Sequence, residues 1–301
     1  MDYWDVLKRS LDITWRHKSL WLFGFLQALF NAGGNFRFPS GAGDFEEISR
    51  DAPSPQIYET FFTPLFIIIL ILAGIILLLL AIFVSFLSQG ALIGQVLDVQ
   101  ETGKTSIKNG FRHGVRSWLY LFGIGLIVWV PFTIGLLIVG GILALPAIIS
   151  FLAQKIALGI ILAILAVFPL IGLIIVTAIP LSLITVFGFR FRVVERTKVF
   201  ESVREGYRLF RENLGPTLLM WLILVVVGMV TGGAFFIIAF FVAVPVFLLA
   251  TLNFWFIIPV AIPALLGLAF LGGLLQVFFS SVWTLTFFSF HPPPQAAQSQ
   301  I

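Results

Sequence analysis

The chain has 301 residues, of which 59% are hydrophobic and only 11% are charged, and its formal net charge is +4 at pH 7. Soluble domains are nearer half apolar and a quarter charged, so this composition excludes a water-soluble enzyme, a nucleic-acid-binding protein and a disordered chain. Cysteine is absent, which excludes disulfides, thiol catalysis and cysteine-based metal sites. We therefore expect an integral membrane protein.

Apolar stretches alternate with polar segments along the chain. Residues 1–18 are mixed and basic, residues 19–33 form a short apolar stretch, and residues 34–60 have the composition of an acidic loop. Long apolar stretches follow, with expected breaks at 145–155 and around Pro245 and Asn253; they are 61–97, 117–145, 156–189, 214–244 and 254–290. About 20 apolar residues cross the hydrocarbon layer, so the sequence predicts five long membrane-spanning helices and a shorter sixth at 19–33.

The first stretch is the shortest, since its 15 residues reach only about 22 Å as a helix. A cleaved signal peptide has this size, with Lys8, Arg9 and Lys18 as its basic region. No A-x-A cleavage site follows, and Trp15 and Trp21 suit an interfacial anchor. A retained helix is therefore the favoured interpretation.

Lysine and arginine fall mainly on one side of the predicted helices. If residues 1–18, 98–116, 190–213 and the polar tail 291–301 share a side, that side carries 15 of the 18 basic residues. The positive-inside rule makes that side cytoplasmic. Both termini are then inside, which requires an even number of spans. We expect a multi-pass protein of a prokaryotic cytoplasmic membrane, with a disordered tail.

Three polar segments share a pattern of apolar, basic, any, small and apolar residues. The pattern occurs at 7–11, 107–111 and 203–207, and each copy continues as an amphipathic helix that precedes one apolar stretch leading out and one leading back. We predict a single membrane domain, 1–301, built as three two-span hairpins in parallel pseudo-repeats at about 1–97, 98–195 and 196–290. The alternative is that any protein of three hairpins has this spacing by topology alone.

The three amphipathic segments each carry bases beside an apolar stripe. The stripes are Trp4, Leu7, Leu11 and Trp15, then Ile107, Phe111, Val115 and Trp118, then Val203, Tyr207, Phe210 and Leu214. A helix of this kind lies in the membrane interface. We therefore expect Lys8, Lys108, Arg204 and Arg208 to contact anionic lipid headgroups on the cytoplasmic side. The alternative for residues 199–213 is a cytoplasmic cap that packs on itself or on a partner protein.

The second apolar stretch of each predicted hairpin returns to the cytoplasmic side, and it carries hydroxyl groups near its cytoplasmic end. Ser85, Ser182 and Ser280 recur at intervals of 97 and 98 residues and are predicted to form an intramembrane polar cluster at similar depth. Hydroxyls, and carbonyls freed by interior prolines, are costly against lipid, so we expect these three helices nearest the axis of the domain. The simpler alternative is ordinary hydrogen bonding between helices.

No catalytic, metal-binding or cofactor-binding constellation is visible in the sequence. The long apolar stretches contain no Asp, Glu, Lys, Arg or His, which argues against a pump, a proton-coupled carrier or a charge-selective channel. His17, His113 and His291 each stand alone in polar segments. The acidic loop, with Asp44 and Glu46, is expected to be solvated, and weak cation binding is the alternative. The sequence predicts neither an enzyme nor a cofactor.

Two motifs resemble those of other membrane proteins. They are the run WRHKSLWLFG from Trp15 to Gly24, and the run Val193-Val194-Glu195 followed by Ser202 and a basic helix to Asn213-Leu214. Both resemble an uncharacterised group of prokaryotic multi-pass membrane proteins, similar to the membrane domain attached to some glycerophosphodiester phosphodiesterases. The catalytic domain of those enzymes has no counterpart in this sequence. The resemblance implies a membrane module and carries over no site residues.

Two functions are consistent with these observations. The favoured one is a non-enzymatic membrane scaffold or accessory module that contacts anionic lipid, and the alternative is a transporter or channel-like carrier for a lipid or a neutral solute. A continuous polar cavity reaching the middle of the membrane would favour transport, whereas a dry, tightly packed interior would favour the scaffold. An intramembrane lipid enzyme is disfavoured because no catalytic cluster appears.

Overall fold

The computed structural model describes residues 1–35, 64–252 and 257–292, and all regular structure in these ranges is helical. In chain order the helices are α1 (Tyr3–Arg16), α2 (Ser19–Asn35), α3 (Pro64–Thr102), α4 (Ile107–Leu152), α5 (Ile156–Glu195), α6 (Val199–Glu212), α7 (Leu214–Leu252) and α8 (Ile257–Phe290). The predicted all-helical fold is therefore confirmed. The acidic loop and residues 293–301 of the predicted tail lie outside the described residues.

Five of these helices, α3, α4, α5, α7 and α8, are long and apolar enough to cross a membrane. The shortest of the five has 34 residues, which is about 50 Å of straight helix against the roughly 30 Å of a hydrocarbon core. The chain is a helical membrane protein. The helix α2 is apolar but has only 17 residues, so it reaches about 25 Å.

Two of the predicted breaks are shorter than the sequence indicated, because helices run through most of them. Pro146 lies inside α4 and Pro245 lies inside α7. Proline is tolerated in membrane helices, since neighbouring helices and local adjustments satisfy the backbone groups that it leaves free. Interior prolines therefore occur in α4 and α7 as well as in α5 and α8.

The second amphipathic segment is not a separate helix. It forms the first turns of α4, and the hydroxyl of the N-cap residue Ser106 accepts a hydrogen bond from the backbone N–H of Asn109 at 3.2 Å. No proline interrupts residues 107–117, so one helix continues from the amphipathic segment into the apolar stretch. The prediction of a separate interfacial helix before every hairpin is wrong for the second hairpin.

The helix α5 continues past the predicted end of its apolar stretch. It includes residues 190–195, which the sequence pattern placed in a charged polar segment. The helix continues because Phe191 and Val193, which separate the charged residues, are buried in the protein. Two arginines, Arg190 and Arg192, therefore lie on a membrane helix.

Packing is concentrated at the C-terminal ends of α3, α5 and α8. Phe86 of α3 meets Phe189 of α5 edge to face, with ring centroids 6.3 Å apart. Phe191 of α5 meets Phe287 of α8 in the same way at 4.9 Å, and Leu92 of α3 belongs to a buried cluster that includes residues of α8. These three helices therefore contact each other pairwise at one end, which we call the packed end.

The three amphipathic segments lie against the packed end, each on a different helix: α1 on α8, the start of α4 on α3, and α6 on α5. The small residue of the shared pattern is buried in each segment; these residues are Ser10, Gly110 and Gly206. The apolar residue that follows it is exposed in each; these residues are Leu11, Phe111 and Tyr207. Each segment therefore has one face against a membrane helix and an exposed apolar face.

The helix α2 lies in the core despite its length. Its residues Leu20 and Phe23 are buried, and its backbone meets that of α8 at Gly24 and Gly273. A Cβ added to Gly273 would lie 2.6 Å from the backbone nitrogen of Phe25. Close approach at small residues is typical of membrane helices, and it makes α2 part of the folded domain.

The opposite ends of the long helices bury very little. Every residue from 65 to 80 in α3 is exposed, and at most 11% of the most apolar membrane-length window of any span is buried. A helix that is apolar on all sides belongs in lipid or in a protein core. The domain is thus packed at one end and leaves apolar helix surfaces uncovered along the rest.

We predict that Gly273→Ala lowers the melting temperature of the detergent-solubilised protein and that Gly272→Ala does not. The methyl group at position 273 would meet the backbone of α2 and force the helices apart, which costs about 1–3 kcal/mol. A Cβ on Gly272 would stand 3.6 Å from the Cβ of Ala28, which is an ordinary contact. Thermal unfolding followed by tryptophan fluorescence compares the variants. Equal melting temperatures would show that the two backbones are not in close contact.

Candidate functional site

The basic residues of α4 and α5 converge where these two helices lie side by side. Leu121 and Ile124 of α4 pack with Phe189 and Val193 of α5 in one buried cluster. Toward the start of α4 and the end of α5, these apolar residues give way to arginines. Because consecutive helices of a hairpin run antiparallel, the bases of both segments reach the same end of the pair.

A cleft of about 250 Å³ opens at this place, and we call it the arginine cleft. Its walls are Arg112, His113, Arg116 and Ser117 from α4, and Arg192, Val193 and Arg196 from the end of α5. Arg112 and Arg116 stand four residues apart on one face of α4, whereas Arg192 lies in the last turn of α5 and Arg196 is the residue that follows this helix. Four guanidinium groups and one imidazole therefore line the cleft.

Arg192 is fixed by contacts on several sides. Its guanidinium lies over the ring of Tyr120, 3.5 Å from the ring centroid, and its Nη1 donates to the carbonyl oxygens of Arg196 and Thr197 at 2.8 and 2.7 Å. These bonds close the end of α5, where Arg196 has a left-handed φ of 60°. The Nε of Arg192 is buried and has no hydrogen-bond partner in the described part of the chain.

The carboxylate of Asp98 on α3 faces His113 of the cleft. Its Oδ1 lies 3.2 Å from the Nε2 of His113, and both side chains are largely buried. Among the residues that the structure describes, no carboxylate forms an ion pair with any of the four cleft arginines. The cleft therefore carries an excess of positive charge.

Arg190 precedes the cleft by two residues and is buried inside the protein. Its Nη1 donates to the carbonyl oxygen of Val186 at 2.7 Å, and its Nη2 donates to the carbonyl oxygen of Ser280 on α8 at 3.2 Å. Within the described residues it forms no ion pair. A buried charge without a counter-ion is costly, so these two carbonyls provide its principal compensation and link α5 to α8.

Comparison with known proteins gives a family for this membrane domain. A family of unknown function, DUF7544, matches residues 16–291. The chain belongs to this family. No curated protein and no solved structure matches the chain. The family region contains α2 to α8, and with them the five candidate spans and the arginine cleft.

The four predicted headgroup residues do not form a common site. Lys8, Lys108, Arg204 and Arg208 are exposed on three different helices, α1, α4 and α6. Arg208 forms ion pairs with Glu212 at 3.0 Å and with Glu205 at 3.6 Å. The hydrogen bond and the charge of Glu212 raise the pKa of Arg208 above its usual value. The charge of Arg208 is thus partly balanced within α6, whereas the other three bases form no ion pair in the described residues.

The three predicted serines are half-buried near the packed end. Ser182 donates its hydroxyl to the carbonyl oxygen of Ile179 at 2.7 Å, and Ser280 offers its carbonyl oxygen to Arg190. In the described ranges, no hydrogen bond joins Ser85, Ser182 and Ser280 to one another. Hydroxyls a few residues farther along these helices are buried more deeply: Ser88, Thr185, Ser281 and Thr284. The intramembrane cluster of the three serines stays a prediction.

Sequence reasoning missed the arginine cleft and the partners of two histidines. His113 faces Asp98, and His291 contacts Glu195 of α5, although each histidine was expected to stand alone. A signal for the cleft was present, because arginines recur four residues apart in both of its walls. Nothing in the local pattern, however, indicates that the two walls meet. The described residues include no group of three or more His, Cys, Asp or Glu that could hold a metal ion.

We predict that Arg190→Lys destabilises the protein more than Arg190→Met. Lysine keeps a buried positive charge on a strongly hydrated ammonium and cannot bridge both carbonyls, at a cost of about 3 kcal/mol. Methionine removes the charge and fills the space with a flexible apolar chain. Melting temperatures in one detergent measure the difference, with the exposed Arg116→Lys as a control that should change little. A less stable methionine variant would mean that the buried charge itself supports the fold.

Proposed function

We propose that this protein is a non-enzymatic scaffold or accessory module of a prokaryotic cytoplasmic membrane, and that it contacts anionic lipid. The observation that carries the proposal is the contrast between a packed, basic end and long apolar helix surfaces that remain uncovered. A scaffold needs a rigid base and helix surfaces that lipid or other proteins can occupy. The two sequence motifs that resemble membrane domains attached to phosphodiesterases are also consistent with the proposed accessory role.

In this proposal the chain spans the membrane six times and both termini are cytoplasmic. The burial of α2 between its neighbours supports a sixth, short span. The orientation is supported by the position of the bases, since α1, the start of α4, the end of α5 and α6 all lie at the packed end. The turn between α4 and α5, which carries Lys155, lies at the other end. A short span is accommodated by local thinning of the bilayer.

We further propose that the domain consists of three related units. Each unit is an amphipathic segment, a helix leading out and a helix leading back: α1 to α3, α4 with α5, and α6 to α8. Each amphipathic segment packs on the last helix of another unit, so that the first unit contacts the third, the second contacts the first, and the third contacts the second. A closed cycle of this kind is what threefold pseudo-symmetry produces.

Contact with anionic lipid is proposed for the exposed faces of the amphipathic segments. Trp4 and Trp15 on α1 and Phe200 and Tyr207 on α6 are exposed although they are large and apolar or aromatic. Aromatic residues of this kind are enriched at the membrane interface. Each neighbouring Lys or Arg near an anionic surface contributes about 1 kcal/mol. The combination supports helices that lie in the cytoplasmic interface.

A carrier for a lipid or a neutral solute is the second candidate, and one observation favours it. Several polar atoms at the packed end are buried without a hydrogen-bond partner in the described residues: Ser88 Oγ, Gln95 Oε1, Thr217 Oγ1 and Ser281 Oγ. A transport path needs polar groups inside the membrane. The far half of α3 presents no such groups, because residues 65–80 are exposed and apolar or small, and this favours the scaffold.

Spin labels test the interfacial position of the amphipathic segments, and the absence of cysteine allows single-site labelling. In vesicles containing anionic lipid, we expect labels at Leu11, Phe111 and Tyr207 to be accessible to oxygen below the phosphate level. Labels at Arg204 and Arg208 should report headgroup depth, and a label at Lys104 serves as an aqueous control. Fully aqueous labels at the three apolar positions would instead support a cytoplasmic cap.

Reporter fusions test the orientation. We expect a fusion after Gln154 to report the outside and fusions after Thr102 and Lys198 to report the cytoplasm, because 15 of the 18 basic residues are assigned to one side. Fusions after Glu47 and Gln298, which lie outside the described residues, should report the outside and the cytoplasm respectively. A cytoplasmic signal at Glu47 would contradict the six-span topology.

A further inference from the structure

We propose that the arginine cleft between α4 and α5 binds a phosphate group that carries two negative charges, as in a phosphomonoester. The binding groups are the guanidinium groups of Arg112, Arg116, Arg192 and Arg196. The inference goes beyond the proposed scaffold role, because the cleft would bind phosphate whether or not the amphipathic segments contact lipid.

The lack of carboxylate partners distinguishes the cleft arginines from Arg9, Arg16 and Arg208 at the same end. On α1, Arg9 pairs with Asp5 at 2.8 Å and Arg16 pairs with Asp12 at 2.6 Å. Such pairs between residues four apart balance charge along a helix. Arg112 and Arg116 are just as exposed, yet neither has an acidic residue three or four positions away. Their helix therefore leaves both charges uncompensated.

The acidic residues nearest the cleft have histidine partners. Glu195 stands three residues after Arg192 but contacts His291. Asp98 directs Oδ1 at His113. Both carboxylates thus have histidine partners, and none forms an ion pair with the cleft arginines in the described residues.

The charge of Arg192 is repelled by two of the other cleft arginines. Arg116 and Arg196 both lie close enough to the guanidinium of Arg192 to act on it electrostatically. The fold nevertheless holds Arg192 in place through Tyr120 and two backbone carbonyls. An anion between the walls would replace this repulsion with attraction. Guanidinium groups match phosphate oxygens geometrically, since their planar donors form paired hydrogen bonds.

The size and position of the cleft indicate which phosphate compounds can reach it. Its volume of about 250 Å³ is below the 300–1,000 Å³ typical of sites for drug-sized ligands, so it suits a single small polar group. The cleft opens at the basic end of two membrane helices. A phosphomonoester there can belong to a lipid headgroup, as in phosphatidic acid, or to a soluble phosphate.

Two measurements on the purified full chain separate these sources. Native mass spectrometry from detergent compares binding of phosphatidic acid, phosphatidylglycerol and phosphatidylcholine at equal concentration. Isothermal titration calorimetry with inorganic phosphate, in lipid-free detergent at constant ionic strength, measures the binding of soluble phosphate. We expect phosphatidic acid to bind at least about tenfold more tightly than phosphatidylcholine, since each lost charge-assisted hydrogen bond weakens binding about tenfold or more.

Matched variants assign the binding to the cleft. Arg112→Gln with Arg116→Gln should weaken binding of the preferred phosphate compound by about tenfold or more. Lys104→Gln with Lys155→Gln removes the same charge from two exposed positions outside both the cleft and the amphipathic segments, and it should leave binding in the cleft unchanged. If the glutamine variant does not fold, the Arg112→Lys and Arg116→Lys pair keeps the charge but removes the paired donors, and it should also bind more weakly than the natural chain.

The outcomes distinguish this inference from the proposed function. Preferential binding of phosphatidic acid, of inorganic phosphate or of both, lost in the cleft variants, supports the site and identifies the source of the phosphate. Binding of phosphatidic acid no tighter than that of phosphatidylcholine, together with no binding of phosphate, overturns it. Equal loss in the Lys104 and Lys155 control also overturns it, because that result would mean that overall positive charge, and not the cleft, determines the binding. If the amphipathic segments do not lie in the membrane interface, the spin labels will report aqueous positions, whatever the phosphate measurements show.

Discussion

Close approach of helix backbones at small residues is the contact on which this structure depends. Apolar side chains gain little when they leave lipid for another helix, because the acyl chains are as apolar as leucine. The helices instead meet where glycine allows backbone contact, as at Gly24 with Gly273 and at Gly206 with Gly188. These contacts lie at the packed end. The apolar remainder of each helix has no comparable reason to leave lipid.

The same end contains most of the described charges, and this combination produces the candidate site. Amphipathic segments need a surface at the membrane boundary, and the C-terminal ends of α3, α5 and α8 provide one. When α5 continues as a helix to Glu195, its arginines face those at the start of α4. Two ordinary basic segments thereby become one cleft with four guanidinium groups. Arg190, which is buried two residues before Arg192, links α5 to α8 through the carbonyl oxygen of Ser280.

The two proposed contacts with anionic groups differ in kind. Exposed bases and aromatic residues on α1 and α6 would interact with any anionic interface, with an energy that adds up over separate side chains. The arginine cleft would instead recognise one phosphate group through converging donors held by the hairpin. A scaffold with both would be anchored broadly by the amphipathic segments and would respond to a particular phosphate compound through α4 and α5.

Composition and local pattern by themselves determined the class of the protein, the existence of the long helices and the clustering of the bases in a few segments, because these properties depend on residues close together in the chain. Helix ends were predicted less well, since charged residues do not stop a helix: α5 runs through Arg190 and Arg192, and α4 begins at Ile107. Only the tertiary structure decided which faces meet. It buried Arg190, joined His113 to Asp98 and brought Arg116 beside Arg192. These contacts join groups on different helices or different turns. No local sequence pattern sets the distance between such groups in space.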